Sequence, residues 1–509
     1  MTTNTYQGNF LGQHLRAASL LEAQSLFAKK LDGSKVSYQE FFLGAENYAK
    51  TLISKGLKPD DRVAVQVEKS LEVLQLYVGT VLAGGVFLPL NTAYTTAEVS
   101  YFLKDAAPSM FVCDASTYEA LAPVAKKLGA GAVETLNADG TGSLTEIAST
   151  LANEPFQAIP READDLVAFL YTSGTTGRSK GAMLTHKNLW SNASTLKDYW
   201  SFSCDDVLIH ALPIFHTHGL FVAINTTLAA GSSLIFMQSF NADQIIDAMP
   251  DATVLMGVPT FYVRLLQHQN LSYESVSNMR LFISGSAPLL SETHIQWREK
   301  TNTAILERYG MTETNMNTSN PYEGDRRAGS VGYPLPFVEV IITDPQTGEP
   351  LANGEVGAIE VRGPNVFKGY WNMPEKTKEE LRDNGFFITG DLGMIDEQGY
   401  VSIIGRSKDL IITGGYNVYP KEIELLVDDI EGVLESAIIG LPHADFGEAV
   451  SAVIVLKPNA QVTEQDIKSQ LSASLAKFKQ PKHVFFVDEL PRNTMGKVQK
   501  NVLRDAYTP

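Results

Sequence analysis

The sequence has 509 residues, of which 44 % are hydrophobic and 19 % are charged. This balance is typical of globular domains and excludes a chain that is disordered, collagen-like or coiled-coil throughout. The formal net charge of −17 argues against a general nucleic-acid or anionic-membrane binder, because both kinds of binding need a basic surface.

Two cysteines, Cys113 and Cys204, cannot build a disulfide framework, so a reducing compartment, the cytoplasm, is expected. The N-terminal stretch lacks the basic and apolar regions of a secretory signal peptide. A long uncharged run, from Val73 to Ala97, contains Pro89 and a pair of glycines. It therefore predicts a buried helix followed by a strand, and not a membrane span.

Short apolar strands alternate with helical patterns in the first third of the chain. Strands are predicted at residues 62–67, 86–89 and 110–113, with a helix at 70–82 between the first two. This rhythm, which recurs at 166–282, predicts an α/β fold with parallel sheets covered by helices. Residues 331–361 carry short strands and turns, and predict a β-rich subdomain.

A domain boundary is predicted at the charged segment Gly405 to Asp409. The predicted domains are a large N-terminal domain, residues 1–405, and a small mobile α+β domain, residues 406–509. A charged junction of this length suits a hinge. A simple hairpin turn is the alternative.

The most informative segment runs from Tyr171 to Gly181 and directly follows an apolar strand. Its three glycines allow tight turns that expose backbone N–H groups to an anion, and Lys180 adds a positive charge. Its hydroxyl donors after Thr172 are Ser173, Thr175, Thr176 and Ser179. The segment predicts a polyphosphate-binding loop, although it lacks the Walker A order. A flexible surface loop is the alternative.

This loop resembles the phosphate-binding signature of the acyl-adenylate-forming (AMP-binding) superfamily. Further motifs agree with that superfamily and occur in its order. They are Pro213-Ile-Phe-His216, Tyr309-Gly-Met-Thr-Glu313, Thr389-Gly-Asp391, Gly405-Arg406 and Pro491-Arg-Asn-Thr-Met-Gly-Lys497. The resemblance implies an enzyme that activates a carboxylic acid with ATP and Mg²⁺ and transfers it to coenzyme A.

The resemblance also implies roles for single residues. Tyr309 would stack on adenine, Thr312 would contact phosphate, and Asp391 and Arg406 would bind the ribose. Glu313 would hold Mg²⁺ together with Thr172, since hard dications prefer oxygen ligands. Further nucleotide-binding residues implied by the resemblance are Ser173, Gly174, Thr175, Thr176, Gly177, Lys180, Ser286, Ala287, Glu307, Arg308 and Gly310.

In the last hundred residues the resemblance makes Lys497 the catalytic lysine, which would bridge the acyl carboxylate and the α-phosphate. It makes Lys408 the hinge residue, although many members have aspartate there. Gly414 and Gly415 would line a tunnel for the coenzyme A arm; a strand-to-helix turn is the alternative.

The alternation of His216 and His218 is weak evidence for a metal pair, because no third ligand is in view. The resemblance instead makes His216 a residue that gates the acyl site, and His218 a core residue.

Two arginines suggest which carboxylic acid is the substrate. Arg264 and Arg308 lie in the region expected to bind the acyl group, and a guanidinium matches a second substrate carboxylate. Ser286 would add a hydrogen bond. With the surrounding motifs, these residues resemble the malonyl-CoA synthetase branch of the superfamily, whose substrates are malonate and, in some members, methylmalonate.

The function expected from the sequence is therefore ATP-dependent ligation of malonate to coenzyme A. A ligase for another short-chain acid is the nearest alternative. A non-catalytic adenylate sensor would lack the lysine or the phosphate loop, and both are present. A peptide-synthetase-like adenylation module, which usually adjoins a carrier domain, is a third class.

Overall fold

The computed structural model describes residues 5–20, 22–172, 179–413, 416–443, 445–493 and 496–508. The chain divides into two compact units. The first contains Met1–Ala328, Tyr333–Glu339 and Val361–Phe387, and the second contains Gly329–Gly332, Val340–Glu360 and Ile388–Pro509. The boundary predicted between residues 405 and 406 falls inside the second unit and stays a prediction.

The helices are numbered in chain order over the described residues. They are α1 (Phe10–Ala17), α2 (Tyr38–Ser54), α3 (Leu71–Leu82), α4 (Thr96–Ala106), α5 (Ala115–Lys127), α6 (Ser143–Thr150), α7 (His186–Tyr199), α8 (Ala223–Ala230), α9 (Ala242–Ala248), α10 (Pro259–Leu266), α11 (Ser291–Thr301), α12 (Pro374–Glu380), α13 (Pro420–Asp428), α14 (Glu464–Ser474) and α15 (Lys500–Tyr507). Short helical turns occupy Ala18–Leu20, His218–Val222, Met249–Asp251 and Ser407–Asp409.

The strands are numbered in the same way. They are β1 (Leu26–Lys30), β2 (Lys35–Ser37), β3 (Arg62–Gln66), β4 (Val86–Pro89), β5 (Met110–Cys113), β6 (Ala132–Thr135), β7 (Leu166–Thr172), β8 (Lys180–Thr185), β9 (Val207–His210), β10 (Ser233–Phe236), β11 (Val254–Gly257), β12 (Leu281–Ser284), β13 (Ile305–Met311), β14 (Asn315–Ser319), β15 (Tyr333–Pro334), β16 (Glu339–Thr343), β17 (Gly357–Arg362), β18 (Gly369–Tyr370), β19 (Phe387–Ile395), β20 (Val401–Arg406), β21 (Ile411–Thr413), β22 (Tyr416–Val418), β23 (Val433–His443), β24 (Gly447–Leu456) and β25 (His483–Val487).

Two sheets organise the described part of the first unit. One has the strand order β18-β8-β7-β4-β3-β5-β6, and the other has the order β15-β14-β13-β12-β11-β9-β10-β1-β2. Strands β3 to β6 pair in parallel, as do β9 to β13. The predicted α/β class with parallel sheets and covering helices is confirmed.

The predicted helix and strand after residue 70 illustrate why the local structure forms. Helix α3 begins after Ser70, whose side chain accepts a hydrogen bond from the Val73 N–H and so satisfies a free backbone donor. Helix α3 is buried along nearly its whole length, and β4 is buried at every residue. The apolar run is therefore core, because it packs between helices and sheet. Among the described residues, no helix combines the length and apolar character that a membrane crossing needs.

The second unit also contains two sheets among its described residues. Their orders are β16-β17-β19-β20 and β22-β21-β24-β23, with β25 paired to β24. Helices α13 and α14 cover one face of the latter sheet through Ile423, Val427, Ile467 and Leu471. The small α+β character predicted for the C-terminal region is thus confirmed.

Candidate active site

The carboxyl ends of parallel strands meet at one edge of the larger sheet in the first unit. Gly257 of β11 pairs with Ser284 of β12, which pairs with Glu307 of β13. The segments that follow these pairs carry Ser286 and Arg308 to the same edge. In open α/β sheets, ligands bind in the crevice outside the carboxyl ends of the strands.

The hairpin of β13 and β14 gathers the residues predicted to bind adenine, phosphate and metal. Tyr309, Thr312 and Glu313 are all buried here, at 7 %, 9 % and 4 % exposure. The strand register shifts between Tyr309 and Gly310. A Cβ atom on Gly310 would lie 1.9 Å from the Asn315 carbonyl oxygen, so the close approach of the two strands requires glycine at this position.

Substituting Gly310 by alanine is therefore expected to destabilise the first unit by about 1–3 kcal/mol, the usual cost of overpacking. The strands must separate, and this moves Tyr309 and Glu313, so ATP binding should also weaken. Thermal unfolding and calorimetric titration with ATP measure the two effects. Gly131→Ala is the control, because the nearest atom to its added Cβ is 3.4 Å away. Equal, small effects of both substitutions would contradict the prediction.

The predicted phosphate loop connects β7 to β8, which form an antiparallel hairpin. Thr172 of β7 pairs directly with Lys180 of β8. These two residues therefore stand opposite each other where the hairpin opens. The predictions for Ser173, Gly174, Thr175, Thr176 and Gly177 lie outside the described residues.

Two residues that the sequence analysis missed surround Lys180. Its Nζ lies 3.2 Å from Glu380 Oε2, and the Tyr370 hydroxyl oxygen lies 2.9 Å from Glu313 Oε1. Neither Tyr370 nor Glu380 belongs to a motif used above. Because 200 residues separate Lys180 from Glu380, no local spacing signalled this contact.

The oxygen atoms near Glu313 fit a Mg²⁺ ion. Thr172 Oγ1 lies 3.5 Å from Glu313 Oε1, so a hydroxyl and a carboxylate, both hard oxygen ligands, are close together. Burial raises the pKa of the Glu313 carboxyl, and a bound cation would favour its ionised form. The described residues contain no cluster of three or more metal-binding side chains.

Arg308 is a buried cation that forms no ion pair with a carboxylate among the described residues. Arg308 is 2 % exposed, and its Nε and Nη2 atoms have no hydrogen-bond partner among the described residues. Burial lowers the pKa of Arg308 to about 9, so the group stays charged at neutral pH. A buried unpaired charge is costly, so this guanidinium is a strong candidate to bind an anionic group.

His218 and Ser286 lie beside this guanidinium. Ser286 Oγ is hydrogen-bonded to His218 Nδ1 at 3.3 Å. Burial, followed by the charge of Arg308, lowers the pKa of His218 well below its usual value, so the imidazole is neutral. Ser286 has a φ of +71°, a left-handed backbone conformation that is costly outside glycine and clusters at functional sites. His218 is 1 % exposed, which agrees with its interpretation as a core residue, and its Nδ1 faces Ser286.

The metal-pair alternative for His216 and His218 receives no support. No third metal-binding side chain joins them in the part of the chain that the structure describes. His216 is half-buried, and its role as an acyl gate stays a prediction.

Arg264 requires a correction. It lies on α10 and is exposed, with its guanidinium 5.6 Å from the centre of the Phe240 ring. The neighbouring Tyr262 points into the core, where its hydroxyl donates to the Ile283 carbonyl at 2.6 Å. An exposed guanidinium does not fit a water-excluding carboxylate pocket, so the predicted partnership of Arg264 with Arg308 is not supported.

Other residues predicted for the nucleotide site belong to the same unit. Glu307 Oε1 accepts a hydrogen bond from the Leu289 N–H at 3.2 Å, and Ala287 is half-buried nearby in the chain. Their nucleotide contacts, and those of Thr312 and Gly310, remain predictions.

In the second unit, the two predicted ribose-binding residues are brought together. Asp391 of β19 is the cross-strand partner of Arg406 of β20, and Arg406 Nε lies 3.2 Å from Asp391 Oδ1. Asp391 is 6 % exposed. The sequence placed both residues in separate motifs, and the antiparallel register makes them neighbours.

Lys408 and Lys497 also lie in the second unit. Lys408 is an exposed residue in the helical turn Ser407–Asp409. The backbone N–H of Lys497 donates to Asn493 Oδ1 at 3.0 Å, in a turn closed by a bridge between Arg492 and Val498. Gly414 and Gly415 lie outside the described residues, and their role in lining a tunnel for coenzyme A stays a prediction.

Comparisons with known proteins assign the family. A family model for AMP-binding enzymes matches residues 17–371, and a model for the C-terminal domain of AMP-binding enzymes matches residues 422–497. The first match alone spans more than half of the chain. The protein therefore belongs to the AMP-binding enzyme family, as the motifs had implied.

Individual relatives cover nearly the same length. The structure of ATP-bound MatB from Rhodopseudomonas palustris has 60 % sequence identity and a TM-score of 0.96, and covers 98 % of this chain and 99 % of that chain. A malonate–CoA ligase from Arabidopsis thaliana is 35 % identical over 87 % of this chain and 77 % of its own. A long-chain-fatty-acid–CoA ligase from Bacillus subtilis is 32 % identical over 94 % of this chain and 91 % of its own.

Proposed function

We propose that this protein is an ATP- and Mg²⁺-dependent malonate–CoA ligase that forms malonyl-CoA, AMP and pyrophosphate in the cytoplasm. The relatives named malonate–CoA ligase in Arabidopsis thaliana and Mus musculus support this assignment. The observation that carries it is the buried guanidinium of Arg308, whose Nε and Nη2 atoms have no hydrogen-bond partner in the described part of the chain and lie beside neutral His218 and Ser286. These groups suit the substrate carboxylate that does not react.

The proposed reaction has two steps. One malonate carboxylate attacks the α-phosphorus of ATP, and pyrophosphate leaves as the malonyl-adenylate forms. The thiol of coenzyme A then attacks the acyl carbonyl, loses its proton and displaces AMP. In the first step Lys497 would stabilise the charge that develops between the carboxylate and the α-phosphate, as a preorganised cation does at many transition states.

Several residues have binding roles in this scheme. Lys180 would hold phosphate oxygens, and Tyr309 would stack on adenine. Glu313 and Thr172 would hold Mg²⁺, which supplies positive charge to the phosphates. Arg308 and Ser286 would orient malonate, and methylmalonate would be a second substrate.

A ligase for another short acid is the competing function. Without a second carboxylate, such a substrate would leave the Arg308 guanidinium buried and unpaired, which is unfavourable. AMP release with ATP, Mg²⁺ and coenzyme A, measured for malonate, methylmalonate, acetate and propionate, distinguishes the two. Faster release with a monocarboxylate than with malonate would contradict the proposal.

The hinge prediction can be tested separately. Lys408→Pro fixes φ and removes a backbone N–H, so it should restrict any rotation about this turn. Adenylate formation should persist, while transfer of the malonyl group to coenzyme A should slow by about tenfold or more. The two half-reactions are measured by pyrophosphate release and by thioester formation. Lys408→Ala, which keeps the backbone free, is the control, and unchanged thioester formation in Lys408→Pro would remove Lys408 from the hinge.

A further inference from the structure

Lys180, predicted to bind phosphate, is already paired with a carboxylate of the protein. Its Nζ lies 3.3 Å from Glu380 Oε1 and 3.2 Å from Glu380 Oε2, so both oxygens face the ammonium group. The Lys180 side chain is 11 % exposed and that of Glu380 is 21 % exposed. An ion pair this sheltered is screened less by salt than a surface pair.

Tyr370 fixes the geometry of this pair. It lies on β18, which is antiparallel to β8, and Tyr370 pairs with Ala182, two residues after Lys180. Its hydroxyl lies 2.6 Å from Glu380 Oε2, and the Lys180 ammonium lies 4.1 Å from the centre of its ring. The ring and the carboxylate together hold the lysine in one position.

Glu380 is ionised and has a second cation partner. Burial alone would raise its pKa, but hydrogen bonds from Tyr370 and Lys376 and the charge of Lys180 outweigh burial and lower the pKa. Lys376 Nζ lies 3.0 Å from Glu380 Oε1. Another anion can therefore replace Glu380 as the partner of Lys180, because Glu380 remains paired with Lys376.

We propose that Glu380 is a positioning residue that acts through Lys180, as an internal counter-ion that competes with the nucleotide polyphosphate for the lysine ammonium. The inference rests on the proposed function, because it takes phosphate binding as the role of Lys180. Glu380 holds Lys180 beside Tyr370 before the nucleotide binds. It also lowers the affinity for ATP and for the released pyrophosphate below the affinity that Lys180 alone would give.

Two physical arguments favour competition over a purely structural role. The ammonium group has three donors, and two of its closest acceptors are the oxygens of one carboxylate, which a phosphate can replace. Glu313 and Glu380 are joined through the Tyr370 hydroxyl, so a polyphosphate that approaches Lys180 meets two acidic side chains. With Glu380 neutralised, Lys180 is no longer paired with a carboxylate and can attract the polyphosphate more strongly.

The experiment measures the binding of ATP with Mg²⁺, and of inorganic pyrophosphate, to the full-length protein by calorimetric titration. Glu380→Gln keeps the size of the side chain and an acceptor for Tyr370. It is expected to lower both dissociation constants by about 3- to 10-fold. Glu380→Asp, which draws the carboxylate away from Lys180, should give a smaller decrease.

The preceding residue supplies a matched control. Glu379 pairs with Lys376 at 2.9 Å, so Glu379→Gln removes the same charge from the same helix without freeing Lys180. It should change both dissociation constants by less than about twofold. Thermal unfolding of every variant checks that the fold is intact.

Lys180→Met separates this inference from the proposed function. It should weaken ATP binding, and adding Glu380→Gln in that background should give no further tightening. If Lys180→Met leaves ATP binding unchanged, the proposed phosphate role of Lys180 is wrong. The single variants can also separate the two hypotheses. If Lys180→Met weakens ATP binding but the single variant Glu380→Gln weakens ATP binding or leaves it unchanged, only the inference about Glu380 is overturned. Equal tightening by Glu380→Gln with and without Lys180 would also overturn it.

Discussion

Replacing Lys497 with alanine is expected to slow malonyl-adenylate formation by at least about a hundredfold, the scale for losing a preorganised charge at a reacting centre. Thioester formation from supplied malonyl-adenylate should change far less, because the lysine is proposed to act only in the first step. Pyrophosphate release and thioester formation are measured separately in single-turnover experiments.

Backbone and neighbouring contacts support the turn that carries Lys497. The turn that carries Lys497 is closed by the backbone N–H of Asn493, which donates to the Lys497 carbonyl at 2.9 Å. Lys500 anchors the following helix by an ion pair of 2.5 Å with Glu424. None of these contacts uses the Lys497 ammonium, so the turn should persist in the variant. Lys457→Ala, at an exposed lysine of the same unit, is the control. Equal losses in both half-reactions would refute the assignment of Lys497 to adenylation.

Replacing Arg308 with alanine is expected to reduce kcat/KM for malonate. The reduction corresponds to a loss of about 2–5 kcal/mol in transition-state stabilisation, the range for truncating one partner of a buried charge pair. The guanidinium is buried and unpaired in the described structure, so the malonate carboxylate would be its counter-ion. Propionate, which has no second carboxylate, should lose far less or gain. The measurement is kcat/KM for both acids in both proteins.

Arg264→Ala is the matched control for Arg308→Ala. Its guanidinium is exposed over Phe240, so its loss should leave the preference for malonate over propionate within about twofold. A large, selective loss of malonate use in Arg264→Ala would restore Arg264 to the carboxylate site. An equal drop for both acids in Arg308→Ala would make Arg308 structural, and the assignment of malonate would then rest on the relatives alone.

Much of the first unit was predictable because its signals are local. The apolar runs at 62–67, 86–89 and 110–113 became β3, β4 and β5 almost residue for residue. Each run is bounded by turns and is too short and too apolar to be stable except between covering helices. The family motifs were equally local, and the family comparison confirmed the membership that they implied.

Contacts between distant segments were not predictable in this way. The motif spacing did not reveal that Asp391 and Arg406 face each other, because an antiparallel register depends on the whole hairpin. Nor did it reveal Tyr370 and Glu380 around Lys180, since their strand and helix approach β8 only in the folded sheet.

Arg264 and Arg308, which the sequence analysis assigned the same role, differ in burial. Both are cations near motifs of the acyl region. Arg308 lies in a strand with its guanidinium packed against Gly285, where an added Cβ would lie 2.4 Å from Arg308 Cζ. Arg264 lies on the outer face of α10. The sequence by itself determined the family, the chemistry and the parallel sheets, because these follow from local pattern and motif order. Only the tertiary structure decided which charges are buried and what they contact, because burial depends on the packing of segments that lie far apart in the chain.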